Sequence, residues 1–446
     1  MFHRNILNEF REWADKPNRK PMIIRGARQV GKTTTVKMFA AEFDQFIYLN
    51  LERDEERMIF ERNYPFSDLV ISLFLYAGKK RKNGRTLLFI DEIQNSPRAA
   101  SLLRYFYEDT PDLYVISAGS SLDTELNKRI SFPVGRVEYM AMHPCNFSEY
   151  LVAIGQEQLS EILDKQEVPG FAHDQLISWY KKYVTTGGMP EVVAAYADQA
   201  DLTALKSIYD ALIQSYIDDI EKYAQSSARV QYIRHVVGNA FSEAGSKITF
   251  EKFANSAYRS REMKEAFLTA EKAMLLKLIY PCTSVKFPAT PNLMRKPRLH
   301  VIDTGLINHV KGLMGELVFS ENMNDVYRGI IAEHIVGQEL LASSYSALHR
   351  IHFWIREKKE SSAEVDYVLP WQGKLIPIEV KSGIIGKLRS LHQFMDQAPH
   401  SFAVRVWQGT YLVEKTKTVK GKEFTLINLP FYLVHRIENE LNKISI

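Results

Sequence analysis

An eight-residue stretch, Gly26, Ala27, Arg28, Gln29, Val30, Gly31, Lys32 and Thr33, limits the folds open to this chain more than any other feature. Two glycines separated by four residues, followed at once by Lys and a hydroxyl residue, make the pattern of a phosphate-binding loop. Its flanks supply the context that such a loop needs. Pro21 to Arg25 is a short apolar run that reads as a strand, and Thr34 to Phe43 reads as a helix with Val36, Phe39, Ala40 and Phe43 on one face. Glycines let successive N–H groups turn inward around a phosphate, and the helix N-terminus adds the positive end of its dipole. Residues 26–34, Thr34 included, are therefore the expected cradle. Lys32 is expected to reach the outer phosphates and Thr33 to offer its hydroxyl to Mg2+.

Phe46 to Asn50, Leu87 to Ile90 and Leu113 to Ser117 are further short, continuous apolar runs. Such runs fit strands of a parallel sheet buried on both faces, so the N-terminal part reads as a doubly wound α/β core. Leu87 to Ile90 runs directly into Asp91 and Glu92. Downstream of a phosphate loop, adjacent carboxylates at a strand end form a Walker B pattern. Asp91 suits Mg2+, and Glu92 suits a water that attacks the γ-phosphate of ATP. A second carboxylate favours hydrolysis over transfer. Ser120, after the next strand, is a candidate γ-phosphate sensor, with an ordinary Ser/Gly turn as the alternative. Arg136 is a candidate arginine finger, with a solvated arginine as the alternative, and Arg129 reads as surface.

A chain of 446 residues exceeds what one core sustains. The expected divisions are 1–147, 148–225, 226–314 and 315–446. The second reads as helices interrupted at Thr185 to Pro190. The third reads as three helices, the last running from Arg259 through Met274 to Leu278, then strand, proline-containing loop and strand, the order of a winged helix. A polar connector is expected over 315–327, then a helix from Gly329 and strands at 352–356, 364–369 and 374–380. The net charge of +4 permits a nucleic-acid partner without arguing for one. Lys247, Lys252, Arg259, Arg261 and Lys264 could neutralise DNA phosphates. Glu251, Glu262 and Glu265 lie among them, so a solvated mixed-charge face is an equal reading.

Cys145 and Cys282 lack metal-ligand spacing and read as reduced structural thiols; His143, His300, Trp179, Tyr180 and Tyr183 also read as structural. The charged Met1 to Lys20 stretch is not a signal peptide, and no apolar run suits a membrane helix, so the expected location is the cytoplasm with no membrane partner. Near the C-terminus, Asp366 faces Glu379 and Lys381 on the next strand. Two carboxylates and a lysine suit metal-assisted phosphodiester hydrolysis. A competent site, a salt-bridged face and a fold kept for binding without cleavage all remain open.

Seven segments carry a resemblance: Ile24 to Thr33, Leu88 to Gln94, Ala118 to Ser121, Pro133 to Arg136, Thr186 to Pro190, Ile302 to Leu306 and Ile378 to Ser382. In this order they resemble the AAA+ superfamily of P-loop NTPases. More narrowly, they resemble the prokaryotic ATPases that join an AAA core to a winged helix and a C-terminal restriction-endonuclease-like domain. The resemblance implies an α/β fold, Mg2+ and ATP binding, hydrolysis, and a nuclease-like C-terminal domain in which Glu333 is the helix glutamate beside Asp366, Glu379 and Lys381. The expected function is an ATPase coupled to DNA binding or processing, with a homo-oligomer as the candidate assembly. The alternative is an ATP-regulated switch that presents a protein-interaction surface, hydrolyses slowly and carries an inactive nuclease-like domain.

Overall fold

The computed structural model describes residues 2–81, 84–119, 133–165, 167–221, 226–319, 329–357, 363–381 and 388–444. They form two compact units. The first comprises 1–143 with 272–275 and 345–348, and the second 144–271, 276–344 and 349–446.

The first unit is built on five parallel strands: β1 (Met22–Arg25), β2 (Gln45–Asn50), β3 (Thr86–Asp91), β4 (Leu113–Gly119) and β5 (Glu138–Ala141), in the order β2-β3-β4-β1-β5. Every residue of β3 is buried, which is why its sequence is continuously apolar rather than alternating. Helices α1 (Ile6–Asp15), α2 (Lys32–Phe39), α3 (Asp54–Glu61), α4 (Phe66–Tyr76) and α5 (Pro97–Asp109) accompany the sheet. Ile23, Ile47, Leu88 and Ile90 share a core with Phe60, Leu73 and Phe106 from α3, α4 and α5. Phe10 of α1 packs on Phe39 of α2, ring centroids 5.5 Å apart. The helix expected from Thr34 to Phe43 instead begins at Lys32 and ends at Phe39, and a 3-10 turn follows over Ala40–Glu42. Strand β5, which the sequence did not reveal, is four residues long with only Ala141 buried, too short for a pattern. Its Ala141 N–H donates to the Tyr345 carbonyl at 2.8 Å.

The second unit begins with helices α6 (Phe147–Ala153), α7 (Glu157–Asp164), α8 (His173–Thr186), α9 (Pro190–Gln199) and α10 (Leu205–Glu221). Next come α11 (Ser227–Ala240), a 3-10 turn at Phe253–Asn255, and α12 (Ser260–Lys272). The turn stands where a second helix was expected, because Lys252, Ala254 and Asn255 all take positive φ. Helix α12 stops short of the expected Leu278. Met274 has φ 59°, and Leu276, Leu278 and Ile279 are buried in a strand. That strand, β6 (Leu276–Ile279), pairs antiparallel with β8 (Arg298–Val301). Helices α13 (Thr304–Val310), α14 (Met314–Phe319) and α15 (Ile330–Ala342) follow. The connector expected from 315 is therefore helical to Phe319, and its remainder lies outside the described residues.

A seven-stranded mixed sheet contains β7 (Pro281–Cys282), β9 (His352–Ile355), β10 (Glu364–Trp371), β11 (Lys374–Val380), β12 (Phe402–Trp407), β13 (Leu412–Lys417) and β14 (Glu423–Pro430). Its order is β13-β14-β12-β11-β10-β9-β7, with α16 (Arg389–Met395) and α17 (Ile437–Ile444) beside it in sequence. The segment 226–314 thus contributes strand β7, parallel to β9, to the C-terminal sheet.

The Thr186 to Pro190 and Ile302 to Leu306 motifs fit into each other. Asp303, which caps α13, accepts hydrogen bonds from the N–H groups of Gly188 at 2.6 Å and Gly305 at 2.9 Å. A Cβ on Gly187 would lie 2.1 Å from the Asp303 carboxylate, one on Gly188 2.2 Å from the Cys145 carbonyl, and one on Gly305 2.1 Å from the Thr186 carbonyl. Close by in this network, Tyr183 donates to Glu339 Oε1 at 2.7 Å, and the Phe147 N–H donates to the same oxygen at 3.1 Å. Tyr180 and Tyr183 are fully buried, as expected of core aromatics. His300 is also buried and stacks on His334.

Candidate functional site

Strand β1 ends at Arg25 and the chain turns at once. A Cβ on Gly26 would approach the Met142 carbonyl to 2.6 Å, so only glycine lets the loop leave the sheet here. Gln29 (φ 63°) and Gly31 (φ 95°) complete the turn before α2 starts at Lys32. The Lys32 ammonium is buried and donates to the carbonyls of Gly26 and Ala27, both at 2.8 Å. Thr33 Oγ1 donates to Asp91 Oδ2 at 2.7 Å. Because β4 separates β1 from β3, the loop and the two carboxylates meet at the C-terminal edge of the sheet, the usual ligand crevice of an open α/β fold.

Glu92 sits in left-handed backbone conformation (φ 51°, ψ 44°) and its carboxylate accepts from the Gln94 amide. Burial raises the pKa values of Asp91 and Glu92, partly offset by the Thr33 hydroxyl for Asp91 and by the Lys32 charge for both. Tyr48 on β2 reaches Asp91 Oδ2 at 3.4 Å, and burial together with that carboxylate pushes its phenol up to about 12.

These residues suit Mg-ATP. A loop whose first glycine leaves no space for a side chain frames a buried ammonium, and a paired hydroxyl and carboxylate offer hard oxygen donors for Mg2+. Three contributors escaped the sequence reading. Tyr48 and Gln94 touch the carboxylates directly. Buried Arg4 donates to the Val30 carbonyl at 2.9 Å and the His143 carbonyl at 2.8 Å, bracing the loop from behind. Tyr48 could have been found from its place on the strand beside the Asp91 strand; Arg4 acts on backbone carbonyls and leaves no spacing signal. Ser120 and Arg129 lie outside the described residues. Arg136 is half-buried and pairs with Glu108 at 2.7 Å, a carboxylate that Arg104 shares.

A second cluster of charge lies in the other unit. The register Tyr367↔Ile378 sets Asp366 and Glu379 across from each other on β10 and β11. Asp366 Oδ2 accepts from the Val380 N–H at 2.8 Å, and Glu379 Oε1 pairs with Lys381 Nζ at 2.7 Å. Among the described residues, buried Glu379 Oε2 has no hydrogen-bond partner. Glu333 is tied to Arg298, Nη1 to Oε2 3.1 Å. The other arm of that guanidinium holds Glu364 at 2.6 Å, and Lys247 reaches Glu364 as well.

Burial, then Asp366, raises the pKa of Glu333 to about 8 and that of Glu379 to about 7. Burial also raises Asp366, against the pull of Arg298. For Lys381, burial works downward, but Glu379 and the neighbouring carboxylates prevail and raise it. Asp366, Glu379 and Lys381 therefore do gather. Glu333 lies within their electrostatic reach, with its carboxylate committed to Arg298. Among the described residues, no three His, Cys, Asp or Glu side chains close around a point that would hold a metal ion. A Cβ on Gly337 would lie 2.5 Å from the Tyr367 hydroxyl, which donates to the Glu333 carbonyl. Glu364 was legible in principle, two residues before Asp366 on the same strand face. Arg298 had no local signal.

Comparison with known proteins bears on each region separately. Residues 18–151 match the family described as an AAA domain, and residues 177–317 and 328–432 match two domains of unknown function. An uncharacterised protein of Haemophilus influenzae is 22% identical over 371 residues, 80% of this chain and 81% of that protein. The replication factor C large subunit of Thermococcus kodakarensis is 27% identical over 234 residues, 49% of this chain and 44% of its own. Among solved structures, a Walker-type ATPase of Pyrococcus abyssi aligns with a TM-score of 0.45 at 13% identity, covering 70% of this chain and 96% of that one. In the second unit and throughout the described residues, no helix is long and apolar enough to cross a membrane. With the loop, the strand-end carboxylates and the family match all falling on the same residues, 18–151 form an AAA-type P-loop ATPase domain.

Proposed function

We propose that this protein hydrolyses Mg-ATP at residues 26–34, with Glu92 as general base. The observation that carries this reading is the 2.7 Å bond between Thr33 and Asp91, which joins the loop hydroxyl to the strand-end carboxylate. When bound, Mg-ATP supplies an electrophilic γ-phosphoryl group whose charge the metal screens. The loop N–H groups of Gly26 to Thr33 hold the phosphates, and Lys32 exchanges its loop carbonyls for phosphate oxygens. Thr33 and Asp91 would hold the metal. Glu92 takes the proton of the attacking water, a task its raised affinity for protons assists. Ser120 is our candidate reader of the γ-phosphate, and Arg136, which pairs with Glu108, our candidate finger to offset its charge.

Turnover by Glu92→Gln is expected to fall by about 10²–10⁴ with ATP affinity retained; equal turnover would remove the reading. Coupling to DNA is the second part of the proposal. It is supported by the exposed Lys252, Arg259, Arg261 and Lys264 around α12, and by similarity to a replication factor C large subunit across 49% of the chain. ATP turnover at low salt is expected to rise with added DNA; no change favours the ATP-regulated switch.

For the C-terminal segment we read Glu333, Asp366, Glu379 and Lys381 as the cation set of a restriction-endonuclease-like domain, beside a winged-helix-like segment at 226–314. What supports this reading is the buried Oε2 of Glu379, which has no hydrogen-bond partner among the described residues.

A further inference from the structure

The carboxylate cluster of the C-terminal sheet is filled from outside its own segment. Arg298 stands on β8 of the 226–314 segment, is 6% exposed, and extends between Glu333 and Glu364 while also donating to the Asp366 carbonyl at 3.3 Å. Lys247 is backbone-bridged to Arg298 and reaches the same Glu364. Two cations at paired backbone positions therefore grip one acidic site. A buried carboxylate cluster requires positive charge, and a guanidinium fork matches two carboxylates in a plane. Even so, Glu379 Oε2 has no hydrogen-bond partner among the described residues, so the guanidinium does not satisfy every carboxylate oxygen of the cluster.

We propose that Arg298, backed by Lys247, is an internal counter-ion standing in for a divalent cation among Glu333, Glu364, Asp366 and Glu379. Latch and metal are mutually exclusive, so the site is open only when the Arg298 guanidinium leaves Glu333 and Glu364. This rests on reading the cluster as a cation site, and the test separates the two ideas.

Mn2+ is titrated by calorimetry into the full-length chain carrying Thr33→Ala and Asp91→Asn, which removes the P-loop metal position. In that background Arg298→Met keeps an apolar stem beside the Phe353 and Tyr367 rings while removing the charge. It is expected to bind Mn2+ roughly tenfold tighter or more than its parent, as loss of one competing charge implies. Asp366→Asn should abolish the gain. If parent and Arg298→Met bind alike, and both lose binding with Asp366→Asn, the latch is wrong while the cation site stands. If folded Arg298→Met, judged by circular dichroism, binds no Mn2+, both ideas fall. Should Arg298→Met not fold, Lys247→Ala, at an exposed position, is expected to tighten Mn2+ binding in the same direction; no change overturns the latch.

Discussion

Lys32 and Arg4 show two ways in which a residue can matter at one site. Lys32 was legible because a phosphate cradle needs a lysine next to its last glycine. Its replacement by Ala is expected to abolish measurable ATP binding in calorimetry. Arg4 donates to the backbone carbonyls of Val30 and His143, and a contact to backbone leaves no pattern of residue types to betray it. Arg4→Ala leaves buried acceptors without donors, and about 1–3 kcal/mol of stability should be lost, with a raised KM for ATP. Arg298 escaped for a related reason: its acidic partners lie on α15 and β10, remote in sequence. Glu92 gives a pH prediction. Burial raises its pKa, and a base acts only when ionised, so turnover should fall on the acid side at a pH above the ordinary glutamate range. That limb should be missing from the residual activity of Glu92→Gln. The left-handed backbone of Glu92 adds a local conflict, since a non-glycine residue there costs about 1 kcal/mol.

At the scale of elements, short buried strands with continuous apolar runs were legible, and strands whose partners supply the reason for them were not. Leu276 to Ile279 follows an amphipathic helix and reads as its continuation; pairing with β8 and the positive φ of Met274 decide otherwise. The glycine break after α8 was legible as a break, but its cause, the Asp303 carboxylate, lies 115 residues on. Gly188→Ala would drive a methyl group into the Cys145 carbonyl. A loss of about 3 kcal/mol or more is expected, seen as a lower Tm or as insoluble protein. Helix α15 carries a second test. Burial raises Glu339 to about 8, above its unfolded value. Its contribution to stability is therefore full below the unfolded pKa and is lost as pH rises through about 8. The Tm of the native protein should fall between pH 6 and 9 more steeply than that of Glu339→Gln. The difference should be on the order of 2–4 kcal/mol if burial persists in both.

On the scale of the molecule, the P-loop and strands β1 to β4 were readable because they are contiguous, whereas β5 and the segments 272–275 and 345–348 of the first unit were not. The remaining segments are interleaved: β7 joins the C-terminal sheet, and Phe147, Tyr183 and Glu339 share one hydrogen-bonded node. A chain cut before Ile330 is accordingly expected to lack the cooperative melting transition of residues 144–319, measured by circular dichroism, rather than to keep a free helical and winged segment. The same node has a consequence for ancestry. Gly187, Gly188 and Asp303 must be inherited together, since a crossover falling between them would pair a bulky residue from one parent with the carboxylate of another. Chimaeras of this lineage joined anywhere from 189 to 302 should survive only when both parents already agree at those three positions.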